Sequence, residues 1–106
     1  MRPNLPISEQ YRIAALEWAD LDNAARLMEE TKSAILAQKM AELGDIPVSR
    51  AEQTVKASKD WHEFVIAIVE ARTKANKKRI ELEFYRMRFS EWQSHEANDR
   101  VERKMT

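Results

Sequence analysis

Cysteine is absent from the 106-residue chain, glycine occurs once (Gly44), and proline occurs three times (Pro3, Pro6 and Pro47). Without cysteine there can be no disulfide, thiolate metal site or thiol nucleophile, and a reducing compartment is the expected one. Sheet proteins place glycine and proline in their many tight turns. Here neither residue occurs between 7 and 43 or between 48 and 106, which predicts few turns and long helices. A single glycine also excludes a glycine-rich phosphate cradle. Long apolar runs are missing as well. The longest, Phe64 to Val69, falls far short of the roughly 18 residues of a membrane helix. The opening Met-Arg-Pro-Asn-Leu-Pro-Ile lacks a signal-peptide hydrophobic region. The expected location is therefore the cytoplasm, with no membrane partner.

What is present is a near-normal hydrophobic share, 43%, beside 34% charged residues. This suits one folded domain spanning 1–106. The apolar positions Ile7, Tyr11, Ala14, Trp18, Leu21, Ala25, Met28 and Ile35 step by three and four, the signature of an amphipathic helix. Lys32 interrupts this seam, and Ile13, Leu16, Ala24, Leu27 and Ala34 widen it. The helix is predicted over about 8–43, opening at Ser8 and closing at Gly44 with a left-handed cap. Asp20-Leu21-Asp22-Asn23 includes three poor helix formers and marks a candidate bend. After the connector Asp45-Ile46-Pro47-Val48, the capping-box pattern Ser49-Arg50-Ala51-Glu52 predicts a short helix over about 50–58. A second capping box, Asp60 to Glu63, is expected to open a long helix over about 60–103. The alternative is one uninterrupted helix from 50 onward, and the polar tail from Glu96 is a candidate for fraying.

The fold class expected is all-α: an elongated, coiled-coil-like antiparallel hairpin of two long helices with a short connecting helix. At about 1.5 Å per residue the two would run about 55 and 65 Å. The last helix has two apolar faces. Trp61, Phe64, Ile68, Ala71, Ala75, Leu82, Tyr85, Phe89 and Trp92 form the main stripe, and Ile66, Val69, Ile80, Phe84 and Met87 lie on the other side. One partner helix covers one stripe. The second calls for another surface, either a second copy of the chain or the short middle helix folded back. A homo-oligomer, with a dimer favoured, is the expectation.

Net charge is zero but unevenly spread. Residues 1–46 carry 5 basic and 8 acidic side chains, and residues 72–88 carry 7 and 2. Two readings compete for Arg72, Lys74, Lys77, Lys78 and Arg79. They can contact nucleic-acid phosphates, releasing counterions. They can instead pair within the protein, Lys77 with Glu81 and Arg79 with Glu83 along the helix, or the block with Asp20, Asp22, Glu29 and Glu30 of the acidic first helix.

Catalytic patterns are lacking. His62 is followed by Glu63, but position 66 is Ile, so no His-Glu-x-x-His zinc motif exists. Glu91 and His95 share a helix face, yet two ligands do not complete a metal site. Ser58, Ser90 and Ser94 have no nucleophile-elbow context. No enzyme, cofactor, metal or small-molecule substrate is expected. The aromatics fall on the apolar seams and read as core more readily than as base-stacking platforms. Trp92 is the best candidate for an exposed anchor.

The segments Ala57-Ser58-Lys59-Asp60-Trp61, Glu70-Ala71-Arg72, Ala75-Asn76, Arg86-Met87-Arg88-Phe89 and Glu91-Trp92-Gln93-Ser94 resemble small helical proteins of bacteriophages and prophages, encoded near early recombination and replication genes. The resemblance covers roughly the second half of the chain and brings no active residues with it. It implies a phage origin and work on DNA or on host DNA-handling machinery. The function expected is that of a non-enzymatic accessory protein, an oligomeric helical adaptor or inhibitor that binds another protein through Phe84, Met87, Phe89 and Trp92, flanked by Arg86 and Arg88. Direct nucleic-acid binding through the 72–88 segment is the first alternative. A purely structural coiled-coil subunit is the second.

Overall fold

The computed structural model describes residues 4–105. Three helices follow one another: α1 (Ile7–Glu42), α2 (Val48–Lys56) and α3 (Lys59–Met105). The fold is all-α, with two long helices packed against each other, as the apolar spacing predicts. α1 runs unbroken through Asp20-Leu21-Asp22-Asn23, and α2 and α3 are separate helices. The tail is helical as far as Met105.

Three of the four expected caps differ in detail. Pro6, and not Ser8, opens α1: its carbonyl accepts the N–H groups of Glu9 and Gln10, each at 3.0 Å. Pro47 opens α2 with φ −56° and ψ 141° and no side-chain cap, so Ser49 lies inside the helix and its capping box does not form. Proline's fixed φ starts the helix before the serine is reached. Ser58, and not Asp60, opens α3. Its Oγ accepts the Trp61 N–H at 3.2 Å and donates to the Val55 carbonyl at 2.6 Å. One hydroxyl thus closes α2 and caps α3. The predicted end of α1 is present: Gly44 has φ +84°, and its N–H reaches the Ala41 carbonyl at 3.2 Å.

The chain divides into two compact units, one of Leu21–Ala75 and the other of Met1–Asp20 with Asn76–Thr106. In the Leu21–Ala75 unit, the second part of α1, the whole of α2 and the start of α3 share a core. Ala25, Ala51, Val55, Trp61, Ile68 and Ala75 are buried, and Trp61 packs on Phe64 with ring centroids 5.5 Å apart. α2 contributes Ala51 and Val55, four residues apart and so on one face. Ile66 and Val69 remain exposed, so α2 does not cover the second apolar face.

In the other unit, the start of α1 lies against the later part of α3. Ala14 and Tyr85 are buried, and Tyr11 meets Phe89 edge-to-face at 6.0 Å. Leu16, expected to widen the α1 seam, is exposed, as is Leu27 in the Leu21–Ala75 unit. On α3 the buried and half-buried positions recur every seven residues. Trp61, Ile68 and Ala75 form the series in one unit, and Leu82 and Phe89 form it in the other. This is coiled-coil periodicity. The companion series Phe64, Ala71, Lys78, Tyr85 holds one charge, Lys78, at a seam position.

Candidate functional site

The basic block divides by what its members touch. Arg72 forks onto Glu29, with Nε to Oε2 at 2.9 Å and Nη2 to Oε1 at 2.7 Å, while its Nη1 reaches buried Asp22 at 2.7 Å. Arg26 also pairs with Asp22, at 3.1 Å. Bidentate guanidinium–carboxylate geometry is the strong form of such contacts. The Arg72 hydrogen bond holds the Glu29 carboxyl below its ordinary value, and Glu29 and Asp22 together push Arg72 up. Lys78 Nζ lies 2.8 Å from Glu17 and 3.0 Å from Glu81, and the hydrogen bond to Glu17 is the larger cause of its raised pKa.

The predicted pairs Lys77–Glu81 and Arg79–Glu83 do not form. Glu81 is taken by Lys78 and Glu83 by Arg86, each three residues apart. Lys78 wins Glu81 because the seam turns it toward Glu17, which places its amine between both carboxylates. Lys74, Lys77 and Arg79 are exposed and hold no ion pair among the described residues. Of the acidic residues expected to face the block, Asp22 and Glu29 do so, and Asp20 and Glu30 are exposed. Glu17 was not among those expected; its place between Ala14 and Trp18 on the α1 seam was the available signal.

The six expected interface residues fall into two groups. Phe84 and Met87 stand on the face of α3 turned away from the seam, 48% and 60% exposed, with Ile80 at 69% one turn earlier. Arg88 lies over the Phe84 ring, 5.9 Å from its centroid. Phe89 is half-buried against Tyr11 on the seam side. Trp92 is exposed but stacks on Phe89 at 5.9 Å, and Arg86 is held by Glu83 at 2.7 Å. The predicted second apolar face is therefore an outer stripe of Ile80, Phe84 and Met87.

Neither histidine is buried. Glu91 and His95 line one shallow depression with Met87, Ser94 and Asn98. Among the described residues no group of three or more His, Asp or Glu side chains is placed to hold a metal ion. A cleft of about 210 Å³ lies between Gln10, Glu17, Lys78 and Tyr85. Its three charged members are already engaged, Lys78 bonding both Glu17 and Glu81.

No protein-family model, curated protein or solved structure matches the chain. No helix is long and apolar enough to cross a membrane among the described residues.

Proposed function

We propose that the chain is a non-enzymatic helical interaction protein that binds another protein through the outer face of α3. The observation that carries this reading is the row Ile80, Phe84 and Met87, three large apolar side chains exposed side by side on one helix face. Single exposed apolar residues are ordinary, whereas a contiguous set marks a surface that another protein covers. Trp92 and Phe89 form a neighbouring aromatic ledge, and Arg86 and Arg88 supply flanking charge. The resemblance to phage and prophage proteins supports an accessory role beside DNA-processing machinery in the host cell cytoplasm.

The test is affinity capture from host lysate treated with nuclease, comparing the native chain with a Phe84→Ala, Met87→Ala double variant. Capture that survives nuclease and is lost in the variant supports the reading. Capture unchanged by the variant refutes it.

Direct nucleic-acid binding is favoured by one observation, the exposure of Lys74, Lys77 and Arg79 without ion pairs. It is the weaker reading, because Arg72 and Lys78 are engaged with α1 carboxylates. Of the remaining three, Lys74 and Lys77 share a face, and Arg79 points about 160° away from Lys77 at about 100° per residue. Retention on immobilised DNA that falls steeply with salt would support it.

A further inference from the structure

The outer stripe is bordered by two charges that the protein leaves unused. Lys77 and Glu91 are both exposed and hold no ion pair among the described residues. Their neighbours Lys78, Glu81, Glu83 and Arg86 are all paired. Lys77 lies seven residues before Phe84, and Glu91 lies seven after it. At about 100° per residue, seven residues return to within about 20° of the starting direction. Lys77 and Glu91 therefore stand on the same face as Phe84, about 10 Å to either side along the axis and offset in opposite senses.

Such an arrangement is self-complementary. We infer that the outer face of α3 pairs with the same face of a second copy, antiparallel and centred on Phe84. A two-fold axis through Phe84 places each Lys77 against the partner's Glu91, so two opposite-charge contacts flank a central aromatic one. Ile80 and Met87 fill the surface between. A parallel, in-register pairing would instead set Lys77 against lysine and Glu91 against glutamate. The charges thus select the antiparallel polarity. The contact spans residues 77–91, on the order of 20 Å of helix, which is short beside standard interfaces. The dimer is accordingly a micromolar one. This inference rests on the reading of the outer face as a protein-binding surface and names its occupant.

Sedimentation equilibrium across micromolar concentrations tests it on the full chain. The native protein is expected to be dimeric and Phe84→Asp monomeric, both with the same helical circular dichroism, since Phe84 lies outside the core. Lys77→Glu and Glu91→Lys are each expected to weaken the dimer about tenfold, and the double exchange to restore it. A native chain that stays monomeric at 100-fold above micromolar concentration overturns the inference. So does a charge series that leaves the dissociation constant flat, because a parallel pairing would be indifferent to these single reversals. A monomeric chain that still captures a protein from lysate through Phe84 and Met87 overturns the second copy as occupant and leaves the proposed function standing. Loss of both overturns both.

Discussion

Replacing Lys78 with leucine sets an ion pair against the apolar seam that it interrupts. Lys78 occupies the position that Phe64, Ala71 and Tyr85 hold at seven-residue intervals, and its side chain is 21% exposed. Leucine there would bury apolar surface worth about 1.5–3 kcal/mol. The lysine stem already covers part of that surface, which reduces the gain to about 1–2 kcal/mol. The loss is the contact with Glu17 and Glu81. Both carboxylates are well solvated, at 39% and 44% side-chain exposure. Pairs of this kind contribute about 0–1 kcal/mol, and neither carboxylate would be stranded out of water. Burial wins, and the variant is expected to be more stable by about 1 kcal/mol, raising Tm by about 5 °C.

The assay is urea and thermal unfolding followed by circular dichroism, with Lys74→Leu as an exposed control expected to stay within about 0.5 kcal/mol of the native chain. A polar residue at a single seam position fixes helix register at a cost in stability, so the leucine variant should also show a broader distribution of oligomers by sedimentation. A variant less stable than the native chain by more than about 1 kcal/mol would refute the reasoning, since it would make the ion pair and not the seam the larger contribution.

Trp61 is 6% exposed, and Trp61→Ala should cost about 3–5 kcal/mol through lost burial and the cavity left behind, read as a fall in the urea midpoint. Ser58→Ala removes the hydroxyl that caps α3 and holds the Val55 carbonyl, at a cost of about 1 kcal/mol, whereas Asp60→Ala should cost less because Asp60 is not the cap. Gly44→Ala forces a Cβ into positive φ with no atom within 4 Å to clash, so its penalty is the backbone term alone, about 1 kcal/mol in the same unfolding assay. Arg72 depresses the Glu29 carboxyl from its ordinary 4.5. The associated stability is therefore fully present above that value and is lost as pH falls through the lower folded-state value. Unfolding midpoints measured across the acid range should fall less steeply in Arg72→Met than in the native chain.

The helices were legible in the sequence because apolar residues mostly at steps of three and four run from Ile7 to Ile35 and from Trp61 to Trp92, long enough for periodicity to dominate local propensity. Even Asp22, one of the poor helix formers that marked a candidate bend, is accommodated: it is buried and held by Arg72 and Arg26. Helix starts were less legible. Ser49 and Asp60 each have a Glu three residues on, but that spacing cannot show that Pro47 fixes the backbone first or that Ser58, two residues earlier, takes the cap. Pairing along α3 failed for a related reason. Spacing alone allows Lys77 or Lys78 to reach Glu81, and only the position of Glu17 across the seam decides for Lys78. The outer stripe was legible from apolar spacing. Its separation from Phe89 and Trp92, which the spacing places on the main stripe, was legible too, whereas the contact of Phe89 with Tyr11 was not.

The two sides of α3 are built to different standards. On the seam side, Tyr85 is buried, Phe89 is enclosed on one edge by Tyr11, and Lys78 is engaged with Glu17 and Glu81. On the outer side Ile80, Phe84 and Met87 form one short apolar row, separated from exposed Ile66 and Val69 by Thr73, Asn76 and Lys77. Asn76 stands one turn before it, and Glu91, Ser94 and Asn98 follow. A surface meant to be permanently covered would extend its apolar spacing along the helix, because obligate interfaces resemble a core cut in half. A row this short, ended by polar residues and edged by unpaired charges of opposite sign, can be exposed to water without driving aggregation. It can also be covered and uncovered at little cost. In the proposed dimer Lys77 and Glu91 set the polarity, so the face suits an association that is specific in orientation and reversible in concentration.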